Sequence, residues 1–392
     1  MTASAPRSRP RTALPTGGRS VLDHAFDTTD AFSLGGEEEF MLVCRENGEL
    51  VPRATQVLAE YEGAYTGAVG SEVMASVVET ATPICATPVE LEASLGLHRQ
   101  RLAESARAAS CELVSAGTHP FTTAQQQVTE GERYASIARE YPWVVQEAAT
   151  YGLHVHVGIQ GADRAIAICN AFRSYLPHLL ALSANSPFLR GEATGLQSTR
   201  VLLAQLYPRS GVPPVFHDFE DYARTIRALQ VSHAVDDYTH TWWFCRPHPT
   251  FGTIEVRVCD AQTDVRRTAA LAAMVQALAA WLNDELDGPG IPPAHHTVCE
   301  ENLWSAARYG CDGSFIDEVE GCAVSSRRAI FELLHTLRPY LEHFGSGRYI
   351  PTLQTMIDTN GAKLQLLEHA DDPDLPRLMR RLAARTLDPL AS

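Results

Sequence analysis

The chain has 392 residues, a net charge of −15 at pH 7 and 45% hydrophobic residues. This composition is ordinary for a globular protein, and the negative charge argues against a nucleic-acid surface as its main role. Lys363 is the only lysine, so a P-loop is excluded and phosphate groups must be neutralised by arginine, backbone or metal.

The beginning of the chain lacks the features of a targeting segment. Residues 1–22 contain no apolar core of a signal peptide, and their prolines disfavour a targeting helix. We therefore predict a disordered tail over residues 1–30 and a single domain over residues 31–392. No apolar run is long enough to span a membrane, and nine cysteines without a Cys-x-x-Cys pair fit reduced thiols in the cytoplasm.

The first predicted strand, residues 35–43, carries three carboxylates at its start and reads Gly-Gly-Glu-Glu-Glu-Phe-Met-Leu-Val. Alternate residues of a strand share a face, so Glu37 and Glu39 point to one side and Glu38 to the other. Crowded carboxylates repel and lose hydration unless a cation compensates them. We interpret the face of Glu37 and Glu39 as a metal-binding face; a solvated acidic run is the alternative.

The next segments predict a second strand and a scaffold helix. Residues 71–83 end in a β-branched run that places Glu79 inside a strand, where a buried glutamate needs a partner. A helix is predicted to start at Thr87, a capping residue followed by proline, and to be closed by Gly117. Residues 125–149 are polar and predict a helical or irregular excursion over the site.

Residues 151–159 alternate strictly between apolar and other residues, which predicts a strand. The apolar residues face a core, while His154 and His156 share the opposite face and can reach one site. A hydrogen-bonded sheet residue is the alternative for each histidine. A helix is predicted over residues 163–186, and another over residues 219–230.

The clearest strand covers residues 251–260, with Ile, Val and Val on its core face. Glu255 and Arg257 share the other face, where a structural ion pair is the ordinary alternative. Asp264 is then predicted to cap a helix that runs to Leu286.

Acids and histidines thus recur opposite core residues on several predicted strands. Hard oxygen ligands with an occasional imidazole suit Mg²⁺ or Mn²⁺ rather than structural zinc. Several carboxylates with one arginine suit a site in which metal ions hold nucleotide phosphates, with Arg257 balancing the charge of a transferred phosphoryl group. The same residues equally permit a two-metal hydrolase.

Six motifs in chain order resemble those of the carboxylate-amine ligases of the glutamate-cysteine ligase type 2 family. Together they cover roughly residues 33–390, so their combination is specific where each motif alone is weak. They read Gly-Gly-Glu-Glu-Glu-Phe, Val-Glu-Thr-Ala-Thr-Pro, Gly-Leu-His-Val-His-Val-Gly, Ala-Asn-Ser-Pro-Phe, Phe-Gly-Thr-Ile-Glu-Val-Arg-Val-Cys-Asp and Asn-Leu-Trp-Ser-Ala-Ala-Arg-Tyr-Gly.

The resemblance implies an α+β, glutamine-synthetase-like fold, in which a curved antiparallel sheet holds ATP, metal ions and substrate on its concave face and helices on its convex face. It implies that ATP phosphorylates a carboxylate, usually the γ-carboxylate of glutamate, and that an amine attacks the acyl phosphate. The amine is not fixed by the resemblance, and a homodimer is implied by analogy alone. The rivals are a two-metal hydrolase of a phosphoester or amide and a non-catalytic nucleotide- or amino-acid-binding protein.

The resemblance also assigns site residues by position. Glu255 and Arg257 are the implied catalytic pair, Arg257 as the phosphate-binding arginine. Glu72 has the wrong parity to share a strand face with Glu79, so as a metal ligand it would have to reach in from a loop. For Trp304, packing near the ATP pocket is the equal alternative to nucleotide contact. The implied metal ligands are Glu37, Glu39, Glu72, Glu79, His154 and Glu255, and the implied nucleotide or substrate contacts are His156, Arg200, Arg246, Arg257 and Trp304.

Overall fold

The computed structural model describes residues 22–61, 67–123, 125–147, 149–288 and 290–387. Residues 1–21 of the predicted disordered tail lie outside these ranges. Residues 22–30 are described and pack against the domain, where Phe26 is fully buried and the backbone N–H of Ala25 donates to the carbonyl of Pro249 at 2.9 Å. Packed structure therefore begins before residue 31.

A seven-stranded sheet forms the centre of the fold, and all its strand pairs are antiparallel. Its strands are β1 (Leu34–Val43), β2 (Ala68–Ser71), β3 (Val77–Ala81), β4 (Glu112–Val114), β5 (Gly152–Gly158), β6 (Cys245–His248) and β7 (Thr253–Asp260). The spatial order is β6-β7-β5-β1-β3-β2, and β4 pairs with the end of β1. The long strand β1 therefore joins both halves of the sheet.

Helices surround this sheet, together with three short two-stranded pairs outside it. The helices among the described residues are α1 (Ala54–Glu60), α2 (Pro88–Ala108), α3 (Glu132–Glu140), α4 (Pro142–Glu147), α5 (Ala162–Phe172), α6 (Leu176–Ser183), α7 (Arg200–Ala204), α8 (Phe219–Val231), α9 (Val265–Glu285), α10 (His296–Tyr309), α11 (Ser326–His343), α12 (Ile350–Asp358), α13 (Gly361–Asp371) and α14 (Leu375–Leu387). The two-stranded pairs are Phe188–Leu189 with Glu192–Ala193, Ser210–Gly211 with Trp242–Trp243, and Ser314–Asp317 with Cys322–Ser325.

The predicted alternation of the central strands is confirmed. The apolar residues of β5 and β7 are fully buried in one core with α6 and α9. The predicted caps are also present, because Thr87 accepts from the backbone N–H of Glu90 and Asp264 from that of Arg266. The helix predicted over residues 219–230 corresponds to α8.

Two predicted helices differ from the structure. The helix predicted to run from Thr87 to Gly117 ends at Ala108, because Ser110 adopts a left-handed conformation with φ 59°, and β4 follows. The helix predicted over residues 163–186 is two helices bent by 61°, with Pro177 in the first turn of the second. The strand predicted at the end of residues 71–83 is confirmed as β3, which contains Glu79.

Among the described residues, no single helix has the length and apolarity needed to cross a membrane. Only α5 and α6 taken together meet those two criteria, and both helices belong largely to the core.

The middle carboxylate of β1 is buried on the side of the sheet that carries α2 and α9. Glu38 is fully buried and accepts from Arg99 of α2 at 2.9 Å and from the hydroxyl of Thr268 of α9 at 2.7 Å. Arg99 also donates to the carbonyls of Gln262 and Thr263, each at 2.7 Å. This ion pair therefore ties β1, α2, α9 and the segment after β7 together.

Replacing Arg99 by Met is expected to lower the free energy of unfolding by about 3–5 kcal/mol, because Glu38 would remain buried without a cation. Urea denaturation measures this loss. Arg107→Met, at an exposed position of the same helix, is the matched control and is expected to cost less than about 1 kcal/mol. Equal losses in the two variants would contradict the role given to the buried pair.

Candidate active site

A cavity of about 350 Å³ lies over the sheet face that carries Glu37 and Glu39. Strand residues form its floor, and residues of α3, α4 and α7 with the loops around them form its walls. The structure brings together ten of the residues predicted for the site, and these line the cavity: Glu37, Glu39, Glu72, Glu79, His154, His156, Arg200, Arg246, Glu255 and Arg257.

Strand register explains why these side chains meet. Glu37 of β1 pairs with His154 of β5, and Glu39 of β1 pairs with Glu79 of β3. On the other side of β5, His156 pairs with Glu255 of β7. Directly opposed residues of neighbouring strands point to the same face, so the sheet converts four separate motifs into one cluster.

The first potential metal site consists of Glu37, His154 and Glu255, whose ligand atoms all lie within 4.8 Å of one another. Burial would raise the pKa of Glu37, but hydrogen bonds with His154 and His156 hold it below its usual range. Burial likewise opposes ionisation of Glu255, but Arg246 and Arg257 hold its pKa well below the ordinary value. Both carboxylates are therefore ionised at neutral pH.

The second potential metal site consists of Glu39, Glu79 and His154, again with ligand atoms within 4.8 Å of one another. Burial and then the charge of Glu72 raise the pKa of Glu39 to about 7. The same two causes raise the pKa of Glu79 well above its ordinary value. The positive charges of Arg200 and Arg257 offset only part of this rise in pKa, so this half of the cavity has an excess of carboxylate groups.

The donor set fits divalent magnesium or manganese. Both sites offer carboxylate oxygens, which are the ligands that these hard cations prefer. Burial and the neighbouring Arg257 lower the pKa of His154 to about 4, so its imidazole is neutral at pH 7, as a metal ligand must be. A cation at the second site would also remove the repulsion between Glu39 and Glu79.

Two of the arginines predicted to contact nucleotide or substrate are engaged by the protein itself. Arg246 makes a two-point contact with Glu255 at 2.6 and 3.1 Å and donates to the carbonyls of Thr239 and Thr241. Arg200 donates to the carbonyls of Arg257 and Val258 of β7 at 3.1 and 3.2 Å. In this arrangement Arg246 positions Glu255, and Arg200 braces β7 beside the cavity.

Arg257 lies beside His154, the histidine that both ligand sets share. It donates to Glu255 and lies 3.4 Å from Nδ1 of His154. The second histidine of β5, His156, is oriented by a hydrogen bond of 2.9 Å between its Nδ1 atom and the hydroxyl of Thr253. Arg257 therefore brings a fixed positive charge next to the first potential metal site.

Glu72 and Trp304 are placed differently from the other predicted residues. Glu72 follows β2 and reaches the cavity from a loop, as its parity required, but it belongs to neither set of ligand atoms among the described residues. Trp304 is 44% exposed on α10, which packs on α6, and it does not line the cavity that the described residues form.

Sequence reasoning missed an aromatic part of the cavity. Tyr134, Tyr207 and Trp242 line it, as does His248. Tyr134 lies in α3, Tyr207 in a loop, Trp242 in a short strand and His248 at the end of β6, and the only signal in the sequence was the run of tryptophans before β6. Their convergence depends on the tertiary fold.

Known proteins match this chain over most of its length. The model of the family described as glutamate-cysteine ligase family 2 matches residues 33–380. A Rubrobacter xylanophilus protein named "Putative glutamate--cysteine ligase 2-1" is 39% identical over 80% of this chain and 84% of its own length. Its relative "Putative glutamate--cysteine ligase 2-3" from the same organism is 37% identical over 93% of this chain and 100% of its own length.

A solved structure shares the fold. The crystal structure of glutamate-cysteine ligase from Francisella tularensis in complex with AMP aligns with a TM-score of 0.67 over 92% of this chain and 90% of that chain. At 11% identity this likeness concerns the fold alone, and it confirms the predicted α+β, glutamine-synthetase-like architecture. With the family model spanning residues 33–380, the chain belongs to glutamate-cysteine ligase family 2, the carboxylate-amine ligases that its motifs predicted.

Proposed function

We propose that this protein joins a glutamate-like carboxylate to an amine in an ATP-dependent reaction, and that the product is a γ-glutamyl amide. The observation that carries this proposal is the pair of metal-ligand sets that share His154 in one cavity beside Arg257. Divalent cations and an arginine at one place suit the transfer of a phosphoryl group.

The reaction consists of two transfers. The γ-phosphoryl group of ATP moves to a carboxylate oxygen of the donor, which gives an acyl phosphate and ADP. The amine nitrogen then attacks the acyl carbon, so that a C–N bond forms and the bond from carbon to the phosphate oxygen breaks. Phosphate leaves with that electron pair, and one proton is released overall when the amine enters as an ammonium ion.

The ligand sets described above would hold Mg²⁺, with Mn²⁺ as a chemically similar alternative. Bound there, the cations would neutralise phosphate oxygens and orient the triphosphate. Glu37 and Glu255 contribute to one set and Glu39 and Glu79 to the other, with His154 within reach of both.

The protein's own groups provide preorganised charge. Arg257 is fixed against Glu255 and His154, so its guanidinium is in place before negative charge develops on the transferred phosphoryl group. Arg246 fixes the other side of Glu255 through its two-point contact. Residues of α3, α4 and α7 form the walls around this charged floor.

Replacing Glu79 by Gln is expected to lower turnover by at least about 100-fold, because the amide removes an anionic ligand from the second set. The assay measures ADP release from ATP, Mg²⁺ and glutamate with a pool of amines, and mass spectrometry identifies the product. Folding should be preserved, since the uncharged glutamine side chain removes the repulsion between Glu79 and the neighbouring carboxylates. Glu301→Gln, at an exposed position of α10, is the control and should keep full activity.

Two outcomes would contradict the proposal. A fully active Glu79→Gln variant would remove the second set from the mechanism. Hydrolysis of a phosphoester or amide by the wild-type protein without nucleotide would favour the two-metal hydrolase instead.

Cation binding is expected to release protons near neutral pH. Because the pKa of Glu39 is about 7 without metal, protons compete with the cation below that pH. Affinity for Mn²⁺ should therefore fall as the pH falls below 7, by about tenfold or more for each pH unit, because Glu79 of the same ligand set also has a raised pKa. Calorimetry in buffers of different ionisation enthalpy measures the affinity for Mn²⁺ and the number of protons released on binding. An affinity for Mn²⁺ that is constant from pH 6 to 8 would contradict the raised pKa of Glu39.

A further inference from the structure

A second cavity, of about 580 Å³, lies among the helices that pack on the apolar face of β5 and β7. Its walls come from α6, α9, α10 and α11, from the strand pair of Ser314–Asp317 with Cys322–Ser325, and from residues 291–294. Within the described part of the chain, it shares no lining residue with the cavity of the candidate active site. Its volume lies in the ordinary range of small-molecule binding sites.

Aromatic rings line this second cavity and hold one another in place. Trp281 and Tyr175 make an edge contact with their ring centroids 5.6 Å apart. His178 contacts the ring of Tyr175 at 5.6 Å and that of Phe315 at 5.0 Å. The indole N–H of Trp281 donates to Glu285 at 3.0 Å. Because these contacts fix the rings, little ordering of the protein is needed when a flat apolar ligand binds.

The strand pair that closes one side of the second cavity is tied to α10. The side-chain amide of Asn302 donates to the carbonyl of Ile316 at 3.0 Å and accepts from its backbone N–H at 2.6 Å. The hydroxyl of Ser305 donates to the carbonyl of Ser314 at 2.6 Å. The turn of this strand pair adds Val319, which is 90% exposed and belongs to the lining. The wall is therefore anchored to the helices, and its lip is apolar.

The imidazole of His178 makes no hydrogen bond with any described residue. Its Nδ1 atom is buried without a partner, so Nε2 is the ring nitrogen that a ligand in the cavity can reach. Burial lowers the pKa of His178 to about 4, so the ring is neutral at pH 7 and carries one N–H. A buried N–H without an acceptor is more costly than a buried lone pair without a donor, which favours the proton on Nε2. The lining thus offers one unused hydrogen-bond donor.

The charges around the second cavity disfavour an anionic ligand. Its described lining contains neither lysine nor arginine. It does contain the carboxylates of Asp317, Glu318 and Glu332, of which Glu332 is paired with Arg328 at 2.7 Å. A carboxylate or phosphate group would lose hydration here without gaining a cation. An uncharged ligand avoids this cost.

We propose that the second cavity is a binding site for an uncharged aromatic molecule that carries a hydrogen-bond acceptor such as a carbonyl oxygen. The aromatic body lies against Trp281, Tyr175 and Phe315, and the acceptor receives the Nε2–H of His178. This site is separate from the proposed ligase reaction, because ATP, glutamate and an acyl phosphate are all anionic. The inference therefore holds or fails independently of the proposed function.

The test titrates the full-length protein with 6-propionyl-2-(dimethylamino)naphthalene, an uncharged naphthalene with one carbonyl group whose emission shifts to the blue in an apolar site. We expect about one site per chain with a Kd of about 10 µM or lower, unchanged within about twofold by saturating ATP, Mg²⁺ and glutamate. The anionic probe 8-anilinonaphthalene-1-sulfonate should bind at least about tenfold more weakly. No saturable binding of the uncharged probe, or equal affinity for the sulfonate, would overturn the inference.

Substitutions locate the probe. His178→Phe keeps a ring but removes the Nε2–H donor, and it is expected to raise Kd about tenfold. Ala329→Phe fills the cavity from α11 and should abolish binding, as should Thr336→Trp, whose exposed position in the same lining carries less risk to folding. Tyr207→Leu, in the cavity of the candidate active site, is the matched control and should leave Kd within about twofold. Binding that survives the first three changes, or that only Tyr207→Leu removes, would overturn the inference.

A second copy of the chain is the competing occupant of this cavity. The proposal predicts that the Kd of the uncharged probe does not depend on protein concentration. Sedimentation velocity over the same concentrations measures the oligomeric state in parallel. A Kd that rises as dimers form, together with loss of the dimer in Thr336→Trp, would assign the cavity to a subunit interface and overturn the inference.

Discussion

Charge balance along β1 is the constraint on which the rest of the structure depends. Three consecutive carboxylates emerge on alternate faces, and each face neutralises its charge differently. On the helix side, Glu38 is buried against Arg99, and this pair joins elements far apart in sequence. On the cavity side, Glu37 and Glu39 face histidines and another carboxylate, with too little positive charge for all of them. The surplus is the physical reason to expect divalent cations there.

The two halves of the cavity differ in how far the protein balances its own charge. Around Glu255, Arg246 and Arg257 already provide compensation, so the carboxylate is ionised and its position fixed. Around Glu39 and Glu79, burial and mutual repulsion favour protonation until a cation binds. In the proposed phosphoryl transfer, Arg257 would supply a fixed positive charge, and a cation held by Glu39 and Glu79 would supply a second one.

The potential metal-ligand sets and the aromatic lining of the cavity lie on different parts of the chain. The ligand sets lie on strands of the sheet, whose register is fixed by many hydrogen bonds. The aromatic lining comes from Tyr134 of α3, from Tyr207 in the loop after α7, and from Trp242 in the short strand Trp242–Trp243. Segments outside a sheet change more readily than its paired strands, so this lining can vary while the ligand sets are kept.

The sequence by itself determined the family, the strand faces and the helix caps, because motifs, alternation and capping are properties of short segments. These local patterns were sufficient to name ten of the residues that line the cavity. Only the tertiary structure decided that Glu39 opposes Glu79, that Arg246 is held by Glu255, and that Trp304 lies away from the cavity. Strand register and the convergence of Tyr207 and Trp242 on the cavity depend on contacts between distant residues, which no local pattern encodes.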